Sequence, residues 1–276
     1  MASNPELLDQ KQGDDSTAKP NKHTHKSTGR LLLGFAWPVV GMLLGYFAAG
    51  LLLGVLLVAL VPLIPNLERM VENQRNIYII FLTSLVGNIL IVPIVGLTFK
   101  RYLFGKNAKL LDIVGLRRRP TLKDVGITLA TFIVYFVTTI IVTGLISQVL
   151  PQINLNQKQD LGFDRPTVPV EYFIVFLTVV ILPPLLEEFV FRGYMFGALR
   201  KQLSFWPATI IVSIAFGAVH GQLNVAIDTF ILSIFLCLLR EKTDSLWPCI
   251  LLHAAKNGLA FTLLFLFPEL LPTELR

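Results

Sequence analysis

Two adjacent glutamates and an arginine, spaced Glu187-Glu188-x-x-x-Arg192, lie in a stretch that otherwise reads as a membrane span. Further along come Phe216-x-x-x-His220 and then His253-x-x-x-Asn257. An ionisable group inside a span costs about 2.5–3.5 kcal/mol on insertion scales, so each such group is a functional candidate until a partner is found for it. Neighbouring helical residues point about 100° apart, so Glu187 and Glu188 cannot aim at the same atom. Glu188 and Arg192, at i and i+4, can pair and neutralise each other. That leaves Glu187 free. A free carboxylate beside a histidine can take a proton from water. A histidine N–H and an asparagine amide are suitable donors to the oxyanion formed when that water attacks a carbonyl. Neither serine nor cysteine stands within these spacings, which argues against a covalent acyl-enzyme.

Helices must bring these groups together. Seven apolar segments are legible, at about 31–64, 77–99, 125–149, 170–199, 205–221, 224–240 and 246–267. The candidate residues fall on three of them. At about 1.5 Å of rise per residue, Glu187, His220, His253 and Asn257 all lie roughly 15–24 Å from the same end of their spans. Similar depth on three spans predicts one polar site within the membrane. Asp228, near the other end of its span, reads as a structural polar group. Lys256 can snorkel or pair with a carboxylate, and it is assigned no chemistry.

Composition agrees with this layout. Of 276 residues, 54% are hydrophobic and 15% charged, against about a quarter charged in soluble domains. The expected fold class is all-α: a polytopic transmembrane bundle of about seven or eight helices, its polar cavity opening to the cytoplasm. Residues 1–30 are polar and read as a disordered tail rather than a cleavable signal peptide. Residues 31–276 form the transmembrane domain. Gly34, Gly41, Gly45, Gly50 and Gly54 in the first segment can admit close helix neighbours. Cys237 and Cys249 read as packing residues.

The net charge of +6 is uneven. Loop 100–123 carries eight basic residues, whereas loops 65–76 and 150–169 carry two each. The positive-inside rule then makes loop 100–123 cytoplasmic, together with the N-terminal tail, Arg200-Lys201 and Arg240-Glu241-Lys242. The charge therefore speaks to topology and to lipid headgroups, not to nucleic acid. The expected location is the plasma membrane with the N-terminus inside.

The three spacings, in this order and each in its own span, resemble the signature motifs of the CPBP (Abi/CAAX) intramembrane proteases, which include the endopeptidase that trims prenylated CaaX proteins. The resemblance covers about residues 170–267 and implies an endopeptidase acting on membrane-associated peptide substrates, either CaaX-like tails or peptide precursors. It implies that Glu187 with His220 activates water, that His253 and Asn257 stabilise the oxyanion, and that Glu188, Arg192 and Phe216 support them. A metal-free glutamate mechanism is favoured, since the helical zinc signature HExxH is absent. Glu187, His220 and His253 are the ligand set if a divalent metal such as zinc is used. Two other classes stay in view. A transporter or proton relay also keeps carboxylates and histidines in its spans, but neither repeats nor paired broken helices are seen. A non-catalytic scaffold or bacteriocin-immunity-type protein would bind a peptide in the same cavity.

Overall fold

A computed structural model describes residues 24–271, apart from 74, 153, 154, 156 and 158–161. The described residues form a helical membrane bundle without strands. All seven apolar segments are helices: α1 (Thr24–Leu60), α2 (Ile77–Leu97), α3 (Leu122–Val149), α4 (Pro169–Arg200), α5 (Phe205–Ala218), α6 (Leu223–Thr243) and α7 (Trp247–Leu266). Six are long and apolar enough to cross a bilayer, and α5, with 14 residues, is the short one. Helix α1 begins at Thr24, inside the stretch expected to be a disordered tail. Within that stretch the guanidinium carbon of Arg30 lies 5.3 Å from the centroid of the Tyr102 ring. The rest of that expected tail, residues 1–23, lies outside the described residues.

Helix α4 is central. Every residue from Phe189 to Phe196 is buried, as expected of a helix that neighbours surround on all sides. Helices α1, α2, α5, α6 and α7 all touch it. Helices α1 and α2 pack closely because Gly45 presents no side chain to Ile91. A Cβ at Gly45 would stand 2.2 Å from Ile91 Cγ1. Of the six glycines in α1, Gly50 and Gly54 face open space instead.

The loops sort onto two faces. On one, Arg200 makes a two-point ion pair with Glu241, at 3.0 and 2.7 Å. Trp247 Nε1 donates to the Arg118 carbonyl at 2.7 Å, and Leu246 N to the Gly115 carbonyl at 2.9 Å. Loop 100–123 therefore shares a face with the α4 and α6 C-termini and the α7 N-terminus. On the opposite face, Asn73 Nδ2 donates to Asp164 at 2.9 Å and Asn224 Nδ2 to the Gln157 carbonyl at 2.8 Å. The alternation read from the seven segments holds in these contacts.

Candidate active site

Helix α4 departs from regular α geometry on both sides of the glutamates. Its turns widen to a π-helical register at Leu177–Ile181 and at Phe189–Phe196. The first has a local cause. Pro183 and Pro184 have no N–H to give, so the carbonyl of Val179 finds no donor at i+4 or i+5. Asn257 supplies one from α7: its Nδ2 donates to Val179 O at 2.9 Å. Such π-turns recur at functional sites.

Glu188 is fully buried. Its Oε1 accepts from Arg192 Nη1 at 3.1 Å and lies 2.8 Å from His253 Nδ1. The Arg192 guanidinium carbon sits 4.2 Å from the centroid of the Phe216 ring, a favourable position for a cation. Phe216 also meets the rings of His220 and His253 edge-on, at 5.0 and 5.7 Å between centroids. The pair expected from the i, i+4 spacing is present, and Phe216 joins it to both histidines.

Glu187 points elsewhere, as the helical rotation requires. Its side chain is 21% exposed and lines a cavity of about 290 Å³. Its Oε2 is 3.9 Å from His253 Nε2, too long for a hydrogen bond. That oxygen is buried without a hydrogen-bond partner among the described residues. His253 thus stands between the two glutamates. Glu188 is committed to Arg192 as an acceptor, so His253 Nδ1 carries the proton and Nε2 faces Glu187. His220 Nδ1 lies 2.7 Å from the Phe216 carbonyl, to which it can only donate. In the neutral ring, Nε2 of His220 is then a bare acceptor.

The cavity gathers Glu187, His220, His253 and Asn257, the four residues selected from the sequence. His253 Nε2 stands 3.9 Å from Glu187 Oε2, and His220 lines the same cavity. The structure adds Lys256, Ser84, Thr178 and Thr229 to the polar lining. Lys256 Nζ is 3.1 Å from Asp228 Oδ2, and Tyr135 donates to Asp228 Oδ1 at 2.5 Å. Asp228 reads from the sequence as a structural polar group, and its partners are these two residues on α7 and α3. The signal for the pair was two opposite charges within adjacent spans, neither with a partner on its own helix.

The direction of the cavity corrects the expectation. From Glu187 its lining runs through Pro183 and Thr178 on α4, Ile80 on α2, Leu264 and Phe265 on α7, and Phe163 in loop 150–169. It therefore extends toward the face of loops 65–76 and 150–169, not toward loop 100–123. On that side α4, α2 and α7 leave space between them, whereas the buried run Phe189–Phe196 fills the bundle toward loop 100–123.

Residues 169–259 match the family described as Type II CAAX prenyl endopeptidase Rce1-like. The match falls on the segment carrying the three motifs and bears out the resemblance to CPBP proteases. Over 77 residues the chain is 34% identical to the "Putative membrane peptidase YdiL" of Bacillus subtilis (strain 168), covering 28% of this chain and 32% of that protein. Over 143 residues it is 28% identical to the "Membrane-embedded CAAX protease MroQ" of Staphylococcus aureus (strain USA300), covering 49% of this chain and 58% of that protein. An uncharacterized 24.3 kDa protein of Escherichia coli is 32% identical over 106 residues, covering 36% of this chain and 48% of that protein. The chain thus spans between 32% and 58% of the length of these relatives. No solved structure matches it.

Proposed function

We propose that this integral membrane protein is an intramembrane endopeptidase of the CPBP type, which hydrolyses peptide bonds of membrane-associated substrates. The observation that carries the reading is the division of labour between the adjacent glutamates. Glu188 is consumed by Arg192 and His253, while Glu187 has no ion pair of hydrogen-bonding length and faces the cavity. The names of the relatives, a putative membrane peptidase and a CAAX protease, support the same class.

In this reading a water hydrogen-bonded to Glu187 attacks the carbonyl carbon of the scissile bond. Glu187 accepts one proton of that water, with the bare Nε2 of His220 as a second acceptor in the same cavity. The developing oxyanion takes hydrogen bonds from the second Nδ2 hydrogen of Asn257 and, when its ring is doubly protonated, from Nε2–H of His253. The C–N bond then breaks, and the departing amine receives the proton held by Glu187. Glu188 and Arg192 are positioning residues that fix His253 and the Phe216 ring.

A metal-assisted route would need Glu187, His220 and His253 to converge on one point. Among the described residues no three histidine, cysteine or carboxylate side chains come together closely enough to hold an ion. That spacing supports the metal-free reading, and no step is routed through a metal.

The test is a comparison of protein termini in membranes from cells expressing wild type or Glu187→Gln at equal levels. New termini with wild type alone would establish proteolysis and identify the cut. Identical termini, with substrate present, would overturn the reading in favour of a peptide-binding scaffold.

A further inference from the structure

The cavity and the basic loop lie at opposite ends of the bundle. Loop 100–123 holds eight Lys and Arg against one Asp. Arg200, Lys201, Arg240 and Lys242 join it on the same face, since Arg200 pairs with Glu241, Lys201 Nζ reaches the Phe104 carbonyl at 3.5 Å, and Arg240 Nη2 donates to the Ile113 carbonyl at 3.3 Å. On the opposite face, loops 65–76 and 150–169 each hold two basic residues balanced by two acidic ones. Basic residues are retained on the cytoplasmic side of short loops. The cavity that holds Glu187 is lined toward the other, balanced face by Ile80, Phe163, Leu264 and Phe265.

From this juxtaposition we infer that the site is entered from the non-cytoplasmic side of the membrane, and that its substrate is an exported or membrane-anchored polypeptide presenting an apolar extended segment there. The substrate part of the inference rests on the protease reading; the side of entry does not. The walls favour apolar residues, because Ile80, Phe163, Phe261, Leu264 and Phe265 line them and the one lysine, Lys256, is already paired with Asp228. The mouth is held in place by loop-to-loop contacts. Asp164, next to Phe163, accepts from Asn73 at 2.9 Å, and Phe163 stacks on Phe265 with centroids 6.1 Å apart. A C-terminal tail held at the cytoplasmic surface would meet the closed end, where α4 is buried on every side from Phe189 to Phe196.

Single cysteines test the inference in whole cells. Glu72→Cys marks the exposed loop at the mouth, Ser84→Cys the cavity wall, and Lys106→Cys the basic loop. Wild type serves as the blank, since Cys237 and Cys249 are both buried. Each variant is treated with a charged, membrane-impermeant thiosulfonate, added to intact cells or to inside-out vesicles. The expected result is that Glu72→Cys and Ser84→Cys react in intact cells and Lys106→Cys only in the vesicles. Reaction of Ser84→Cys only in vesicles, its failure to react from outside, or reaction of Lys106→Cys in intact cells would each overturn the inference. Labelling does not depend on turnover. Outside labelling of Ser84→Cys, with protein termini that do not change in Glu187→Gln, would leave the side of entry standing and sink the protease reading alone.

Discussion

The side-chain amide of Asn257 donates to the main-chain carbonyl of Val179, which two consecutive prolines leave without a helical donor. One residue thus repairs α4 and lines the cavity, where its second amide hydrogen is the proposed oxyanion donor. The two roles can be separated. Asn257→Ala should cost about 1 kcal/mol of stability, the worth of an ordinary hydrogen bond. Pro183→Ala returns an N–H to the i+4 position, so the double variant should lose less stability than the two single changes summed. Cleavage should stay low in the double variant, because the oxyanion donor is still missing. Thermal unfolding in detergent, read as a double-mutant cycle, measures the first effect, and a cleavage assay measures the second.

The adjacent glutamates should differ sharply in what they stabilise. Glu188→Gln leaves the Arg192 guanidinium buried without its ion partner, and breaking a buried pair costs about 3–5 kcal/mol. Glu187→Gln removes no ion pair of hydrogen-bonding length, so the melting temperature should barely move while cleavage falls by roughly a hundredfold or more. Equal melting losses for the two variants would contradict the assignment of Glu188 as the structural member.

Gly115 ends the short helix Leu110–Val114 with φ of 78°, and a Cβ there would lie 2.8 Å from Arg240 Cζ. Gly115→Ala should therefore be destabilised by about 1–3 kcal/mol through backbone strain and crowding together. Adding Arg240→Ala should relieve only the crowding. Comparing melting temperatures of the single and double variants separates the two causes.

Lys256 and Asp228 should behave as one unit. Asp228→Asn and Lys256→Met each leave a partner stranded in the bundle, while the double change removes both charges. The coupling should be roughly 0.5–3 kcal/mol, in the sense that the double variant is more stable than additivity gives. Additive losses would mean that the 3.1 Å contact contributes nothing to the fold.

Much of this arrangement was legible in the sequence because the bilayer makes polarity conspicuous. Each of the seven apolar segments is a helix, and the Glu188–Arg192 pair follows from its spacing alone. Similar depth brought Glu187, His220, His253 and Asn257 to one cavity, since axial rise is fixed by backbone geometry. Rotation about each helix axis is not fixed in that way. It depends on packing and on the π-turns in α4, so the position of His253 between both glutamates had no local signature. That Lys256 could pair with a carboxylate was legible, but the choice of Asp228, with Tyr135 beside it, joins three helices and was hidden for the same reason. The direction of the cavity depends on which part of α4 its neighbours fill, and that emerges only once α2 and α7 lie alongside.

The brevity of α5 has a consequence for the lipid around it. Fourteen residues of helix span about 21 Å, whereas the hydrocarbon core of a bilayer is about 30 Å thick. A helix that falls short draws the lipid surface inward around itself. His220 stands just past the end of α5, so such a dimple would bring hydration toward the cavity that holds Glu187. Main-chain amides around 217–222 should consequently exchange deuterium faster than those at the centres of α3 or α6.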